Sequence, residues 1–235
     1  MSESIGVLAL QGCIDPHLNM LQRLGVNALR VTSIEDLKKV DRLILPGGES
    51  STMLRFLTQL PTSVRTSKNA PRTPNELFIA LQRFCKTNPV WGICAGSILL
   101  SKEVENPTQL SLGAIDIKAI RNFYGSQRDS FKATIAIKPL GKSLAVDFIR
   151  APKLVPIPTD ISDQSLSQTP SAGQVISTPN EPMTNQIEAQ SSPVITIAEI
   201  DGVGVGFQQN RVMATAFHTE LGNDPALHEY FVKGL

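Results

Sequence analysis

The chain lacks most of the signals that mark a specialised class. Only three of its 235 residues are cysteines, Cys13, Cys85 and Cys94. An odd count without framework spacing excludes a disulfide scaffold and fits a reducing, cytoplasmic setting. No CxxC and no Cys/His pair has zinc-ligand spacing, so no metal site is expected. Charge of either sign is scarce in excess: 22 Lys+Arg face 21 Asp+Glu, a net +1. That balance excludes an electrostatic footprint for nucleic acid or an acidic membrane surface. No apolar run reaches the roughly 20 residues needed to span a bilayer. Met1-Ser2-Glu3-Ser4 lacks a basic n-region and leads straight into an apolar run, so no signal peptide is expected. What is there is ordinary globular composition, 41% hydrophobic and 18% charged, sufficient for one substantial core.

Along the first hundred residues strands alternate with helices. Ile5–Leu10, Ala28–Val31 and Arg42–Leu45 read as buried strands, as does the run at Val90. Asp15 followed by Pro16 reads as an N-cap and first turn, with Leu18, Leu21 and Leu24 at helical spacing and Gly25 as the stop. Ser33-Ile34-Glu35-Asp36 resembles a capping box before a short helix. Further helices are expected at about 52–60 and 77–84. Such alternation predicts an α/β fold: a three-layer sandwich with a mostly parallel central sheet and helices on both faces. In the second half, 115–120, 131–137, 195–200 and 203–207 alternate with period two and read as half-exposed, antiparallel strands. A closing helix at about 225–232 starts from Asn223 or Asp224. Two segments break the pattern. Residues 61–74 read as a surface loop. Residues 158–193 are rich in Ser, Thr, Pro, Gln and Asn, with no Lys or Arg between Lys153 and Arg211. They cannot bury enough apolar surface to offset their ordering entropy, and read as a mobile insertion in a single domain spanning 1–235.

The chemistry centres on Gly92-Ile93-Cys94-Ala95-Gly96. A cysteine between small residues, after an apolar strand and before a helix, has the layout of a nucleophile elbow. The glycines permit the sharp turn and close backbone approach. The following helix aims its first N–H groups at the sulfur, a field that favours thiolate. A thiol nucleophile needs a base and the base an orienting group. His218 and Glu220, two apart on an extended segment, point the same way and supply both. Cys13 and Cys85 lack elbow context and read as structural. His17 reads as a surface or interface residue and His228 as a solvated helix residue.

This combination resembles the class I, or triad, glutamine amidotransferases. Leu8-Ala9-Leu10-Gln11-Gly12, Leu45-Pro46-Gly47-Gly48-Glu49-Ser50, Arg121-Asn122, Asp129-Ser130-Phe131 and Phe148-Ile149-Arg150-Ala151-Pro152 narrow the resemblance to the glutaminase subunits of pyridoxal 5′-phosphate synthase. The resemblance implies hydrolysis of L-glutamine to glutamate and ammonia, with the ammonia passed to a synthase subunit. It implies no cofactor and no metal. Residue by residue, it makes Cys94 the nucleophile, His218 the acid/base and Glu220 its partner. Gly48, Glu49, Ser50, Arg121, Ile149 and Arg150 match glutamine-binding positions, and Gln11 matches a position in the interface with the synthase, close to the site. Thiolate attack puts charge on oxygen, for which the backbone N–H groups of Gly48 and Ala95 are the candidate oxyanion hole. Arg121 suits the substrate α-carboxylate.

Some residues depart from that pattern. Thr219 stands where proline is usual, which predicts a looser backbone with the His–Glu dyad retained. Ser126 replaces an arginine, Asp15-Pro16-His17 replaces a Glu-His pair, and Ser97 replaces a larger apolar residue, a change of packing only. Alternative readings are a triad amidotransferase of another pathway, an elbow-cysteine hydrolase of the same fold, and a degraded glutaminase acting as an interaction protein.

Overall fold

The computed structural model describes residues 3–60, 72–123, 130–158 and 192–235. The expected loop therefore lies outside the described residues as far as 71, as does nearly all of the 158–193 insertion, and so do Ser126 and Asp129.

The first half is built of βαβ units. Strand β1 (Ser4–Leu8) leads into helix α1 (Ile14–Arg23), then β2 (Asn27–Val31), α2 (Ile34–Leu37) and β3 (Arg42–Leu45). Helix α1 starts earlier than Asp15 suggests: Cys13 is the N-cap, without a side-chain bond, and Pro16 sits inside the first turn, where its missing N–H costs nothing. Asp15 instead pairs with Arg30 at the surface. Gly25 ends the helix as expected, at φ +70. Ser33 caps α2 by accepting from the Asp36 N–H. Helix α3 (Ser50–Leu57) also starts early, because the Glu49 carboxylate is itself the cap, accepting from the Thr52 N–H at 2.8 Å. It stops at Leu57 rather than near 60. The chain turns extended there, and β4 (Thr58–Gln59) pairs with β5 (Thr73–Pro74), so residues 72–74 are not simple loop. Helix α4 (Glu76–Thr87), capped by Asn75, precedes β6 (Val90–Ile93), and helix α5 (Ala95–Leu100) follows it.

The second half holds β7 (Ser101–Glu105), β8 (Ile115–Ile120), β9 (Phe131–Ile137), β10 (Lys142–Phe148), β11 (Lys153–Pro156), β12 (Ile195–Ile200), β13 (Val203–Gln209) and β14 (Val212–Thr215). Helix α6 (Ala226–Gly234) closes it, with the Asp224 carboxylate accepting from the Ala226 N–H. One nine-stranded sheet runs β10-β9-β12-β13-β14-β6-β3-β1-β2. Its β2-β1-β3-β6-β14 portion is parallel and the remainder antiparallel. Residues 115–120 form the expected half-exposed strand, antiparallel to β11 but parallel to β7, in a separate three-stranded sheet.

The layers can be read from β6. Its side chains alternate, so Trp91 and Gly92 face opposite ways. A Cβ on Gly92 would lie 2.7 Å from Gly96 and from Leu100, which puts α5 on that face. Trp91 packs against His17 of α1 and against His228 and Phe231 of α6, which puts those helices on the other. Helices thus cover both faces, and a buried strand must read as a continuous apolar run, as β6 and the Leu43, Ile44 and Leu45 stretch of β3 do. Trp91, Leu43, Ile44 and Leu45 are fully buried, each aliphatic side chain worth about 2 kcal/mol over the exposed state. No described helix is long and apolar enough to cross a membrane.

Candidate active site

Cys94 sits at the corner between β6 and α5, at the C-terminal edge of the parallel strands, where open α/β sheets place their sites. Its φ is +49 and its ψ −101, a conformation costing a non-glycine residue about 1–3 kcal/mol. The corner is held by contact with β3: a Cβ on Gly96 would lie 2.0 Å from the Leu45 carbonyl oxygen. The Cys94 N–H donates to the Thr215 carbonyl at 2.8 Å. Ser97 does more than fill space, since its buried hydroxyl lies 2.8 Å from the carbonyl oxygens of both Gly92 and Thr215. It ties the elbow to β6 and β14.

His218 follows β14 and is fixed by an antiparallel bridge: it exchanges both backbone hydrogen bonds with Asp147 of β10, at 2.8 and 3.0 Å. β10 is four strands from β14 in the sheet, so its end folds back over the site and brings Ile149 to Cys94. The Cys94 thiol donates to the Ile149 carbonyl at 3.7 Å. His218 Nδ1 and Glu220 Oε1 are 2.5 Å apart, both groups buried. Thr219 therefore leaves the dyad intact, as expected. Burial disfavours a charged His218, but its hydrogen bonds to Cys94 and Glu220, and their charges, outweigh burial and hold it well above 6.5. Burial likewise opposes ionisation of Glu220, but the bond to His218 and the neighbouring rings bring it down to about 2.

The sequence-predicted residues converge. Gln11, Gly48, Glu49 and Ser50 line one cavity of about 210 Å³ with Cys94, Ala95, Arg121, Ile149, Arg150 and His218. Glu220 lies behind His218, outside the cavity lining. Two backbone segments touch at its rim. A Cβ on Gly12 would lie 2.0 Å from the Gly47 carbonyl oxygen, and that oxygen accepts from the Cys13 N–H at 2.9 Å. The Gln11 side-chain carbonyl accepts from the Glu49 N–H at 2.6 Å. A Cβ on Gly47 would lie 2.2 Å from His218 Cε1, so only glycine lets the ring approach. Arg121 lies 3.3 Å from the Glu49 carboxylate at the mouth. Burial opposes ionisation of Glu49, but bonds from Ser51 and Thr52 outweigh it and keep its pKa below the usual value. Arg150 has φ +45 and an exposed side chain, which leaves the backbone of 149–150 facing the cavity.

Three residues differ from their sequence reading. Cys13 is not simply structural: it lines the cavity, and its sulfur lies within 4.8 Å of His218 and Glu220 donor atoms. Among the described residues those three side chains form the one cluster with metal-ligand chemistry, which local spacing could not reveal because it joins residues two hundred positions apart. Burial first, then Glu220, raises the Cys13 pKa, so it is a thiol at neutral pH. His17 and His228 are neither surface nor solvated; both are fully buried. The signal was helical spacing: His17 with Met20 and Leu21, and His228 with Leu227 and Phe231, fall on the sheet-facing stripe of their helices.

Known proteins fit this arrangement. The model of the SNO glutamine amidotransferase family matches residues 7–185. Curated relatives called pyridoxal 5′-phosphate synthase subunit PdxT include one from Thermosipho africanus, 37% identical over 229 residues, covering 97% of this chain and 96% of its own. Another, from Fervidobacterium nodosum, is 35% identical over 230 residues, covering 97% and 95%. A solved glutamine amidotransferase structure superposes with a TM-score of 0.70 at 29% identity over 97% of both chains. A putative GMP synthase protein from Thermoplasma acidophilum, TM-score 0.55 at 14% identity over 99% and 93%, shares the fold.

Proposed function

The chain belongs to the SNO glutamine amidotransferase family, and from that premise we propose how it works: it hydrolyses L-glutamine through Cys94, His218 and Glu220, and passes the ammonia to a pyridoxal 5′-phosphate synthase subunit. The placement of the Cys94 thiol and the His218 ring at one edge of a cavity, with the buried Glu220 carboxylate behind the ring, carries this reading.

Cys94 passes its thiol proton to His218, and the sulfur attacks the side-chain amide carbon. Negative charge develops on the amide oxygen, and the N–H groups of Ala95, at the start of α5, and Gly48 are the donors assigned to it, each worth about 3 kcal/mol in related chemistry. Protonated His218 gives its proton to the departing ammonia, leaving a thioester on Cys94. His218 then takes a proton from water, which cleaves the thioester and releases glutamate. Glu220 holds the ring in one orientation and favours its charged form throughout. Glutamine carries an ammonium and a carboxylate on its α-carbon. The Glu49–Arg121 pair at the cavity mouth offers one partner for each. Ser50 and the backbone of Ile149 and Arg150 complete the assigned glutamine contacts.

Gln11 and Cys13, the N-cap of α1, line the cavity on either side of exposed Gly12, which supports docking of the synthase there. The unpaired thiols of Cys13, Cys85 and Cys94 support a cytoplasmic location. The continuous main sheet, drawn from both ends of the chain, supports one domain over 1–235.

The test is glutamine hydrolysis by the full chain with and without its proposed partner, the synthase component that makes pyridoxal 5′-phosphate. Stimulation by that partner is expected. Turnover that the partner leaves unchanged would move the protein to another pathway, and no turnover in either case would leave an interaction protein.

A further inference from the structure

Two histidines from opposite ends of the chain meet behind the triad. His17 Nδ1 and His228 Nε2 lie 2.9 Å apart, in hydrogen-bond contact. His17 Nε2 lies 3.7 Å from Glu220 Oε1, the same oxygen that faces His218. Both rings stand edge-on to Trp91, with centroids 5.9 and 4.9 Å from it, so the packing fixes their planes. His17 Nε2, His228 Nδ1 and Glu220 Oε2 are buried and make no hydrogen bond.

We propose that His17 and His228 are positioning residues for the triad: a neutral imidazole pair, each ring in one tautomer, that turns an N–H of His17 toward the Glu220 carboxylate. The proposal rests on the glutaminase reading.

The tautomers follow from elimination. A carboxylate only accepts, so a bare ring nitrogen facing it would set two lone pairs against each other in a medium of low dielectric. His17 Nε2 therefore carries the proton and Nδ1 is bare. The His228 nitrogen in contact with that bare Nδ1 must donate, which puts the second proton on His228 Nε2. The bare Nδ1 of His228 is left over. Reversing both tautomers would instead strand a buried N–H and set a lone pair against Glu220, which costs more. Burial pushes the two rings down to about 4 and about 3, so neither takes a second proton at neutral pH.

Glu220 Oε1 thus has an N–H on each side, from His218 and from His17. The far one limits rotation of the carboxylate and supports its charge without adding a competing cation. A carboxylate held this way keeps His218 aimed at Cys94 while the ring gains and loses its proton.

Two measurements on the full chain test this. Long-range ¹⁵N–¹H spectra of histidine-labelled protein are expected to show His17 and His228 both protonated on Nε2 at neutral pH. A proton on Nδ1 of His17 overturns the proposal whether or not the protein hydrolyses glutamine. In glutamine turnover with the synthase partner present, His17→Phe is expected to lower kcat about tenfold, with KM changed by less than about twofold. His17→Gln, which returns an N–H near the Nε2 position, should recover most of the loss. Equal losses in the two variants, or none in His17→Phe, refute the positioning role. Should His17→Phe not fold, His228→Phe serves: His17 should become a mixture of tautomers and kcat fall about threefold, and an unchanged His17 spectrum refutes the proposal. Absence of turnover in the unaltered protein would instead count against the glutaminase reading.

Discussion

The two sides of the triad are held by different means. Cys94 is positioned by backbone. It stands at positive φ at a corner packed so tightly that Gly92 and Gly96 admit no Cβ. His218 is anchored by its backbone bridge to Asp147, but its ring and the Glu220 carboxylate are held in place by side chains. Both residues follow β14, backed by a layer of buried rings, His17, His228 and Trp91. The difference suits the chemistry. A nucleophile needs its atom at one fixed point, which a strained turn between a buried strand and a buried helix provides. An acid/base group must change charge in place, which needs polar partners around the ring.

The comparison can be broken from either side. The largest effect is expected for Cys94→Ala, which should cut glutamine turnover by at least about 10⁴-fold while circular dichroism stays that of the folded chain. Turnover that survived would remove Cys94 from the chemistry. Glu220→Gln keeps the shape and loses the charge, and should lower kcat about 10³-fold through a misoriented His218. Gly47→Ala acts on the gap between the two sides, since its new methyl would lie 2.2 Å from the His218 ring. About 10²-fold in kcat is expected, and an unaffected enzyme would show that the ring need not approach this strand end.

The gentlest probe is pH. Below about 6.5 the unfolded chain protonates His17 and His228, which the fold resists until about 4 and about 3. The unfolded state then holds more protons, so stability falls as pH is lowered through that window, by about 1.4 kcal/mol per unit for each ring. Glu220 adds a loss of the same sign between about 4.5 and about 2. His218, raised by its partners, stabilises the fold at lower pH and loses that contribution as pH rises past its folded value, above 6.5. Urea midpoints measured between pH 4 and 6.5 should therefore rise with pH, and a flat profile would mean the ring layer is not held neutral.

Much of this was legible in the sequence, for physical reasons. Buried parallel strands must be continuously apolar, so β1, β3 and β6 could be read directly. The elbow and the His-x-Glu pair are local, and local spacing decides which way they point. The strand Lys142–Phe148 carries a readable alternation too, in Leu144, Val146 and Phe148. Its fold back onto His218 was not legible, because a backbone bridge leaves no side-chain signature. Neither was the meeting of His17, His228 and Cys13 with Glu220. Each looks ordinary on its own helix or loop, and only the packing of α1 and α6 on one face of the sheet brings them together. For Ser97 the sequence suggested a change of packing; the structure shows a hydroxyl linking two strands.

Every residue of α5 is buried, and this sets where the site is stiff. A load applied at the protein surface has no direct purchase on the helix that carries Cys94. The opposite wall is different: Gly12 and Gly48 are exposed, and residues 11–13 and 47–49 are joined by two backbone-anchored hydrogen bonds and a glycine contact that leaves no slack. A displacement of the first of these segments must therefore shift the second or break those bonds. The cavity behaves as a rigid anvil facing a single coupled lever, whose outer arm lies at the start of α1.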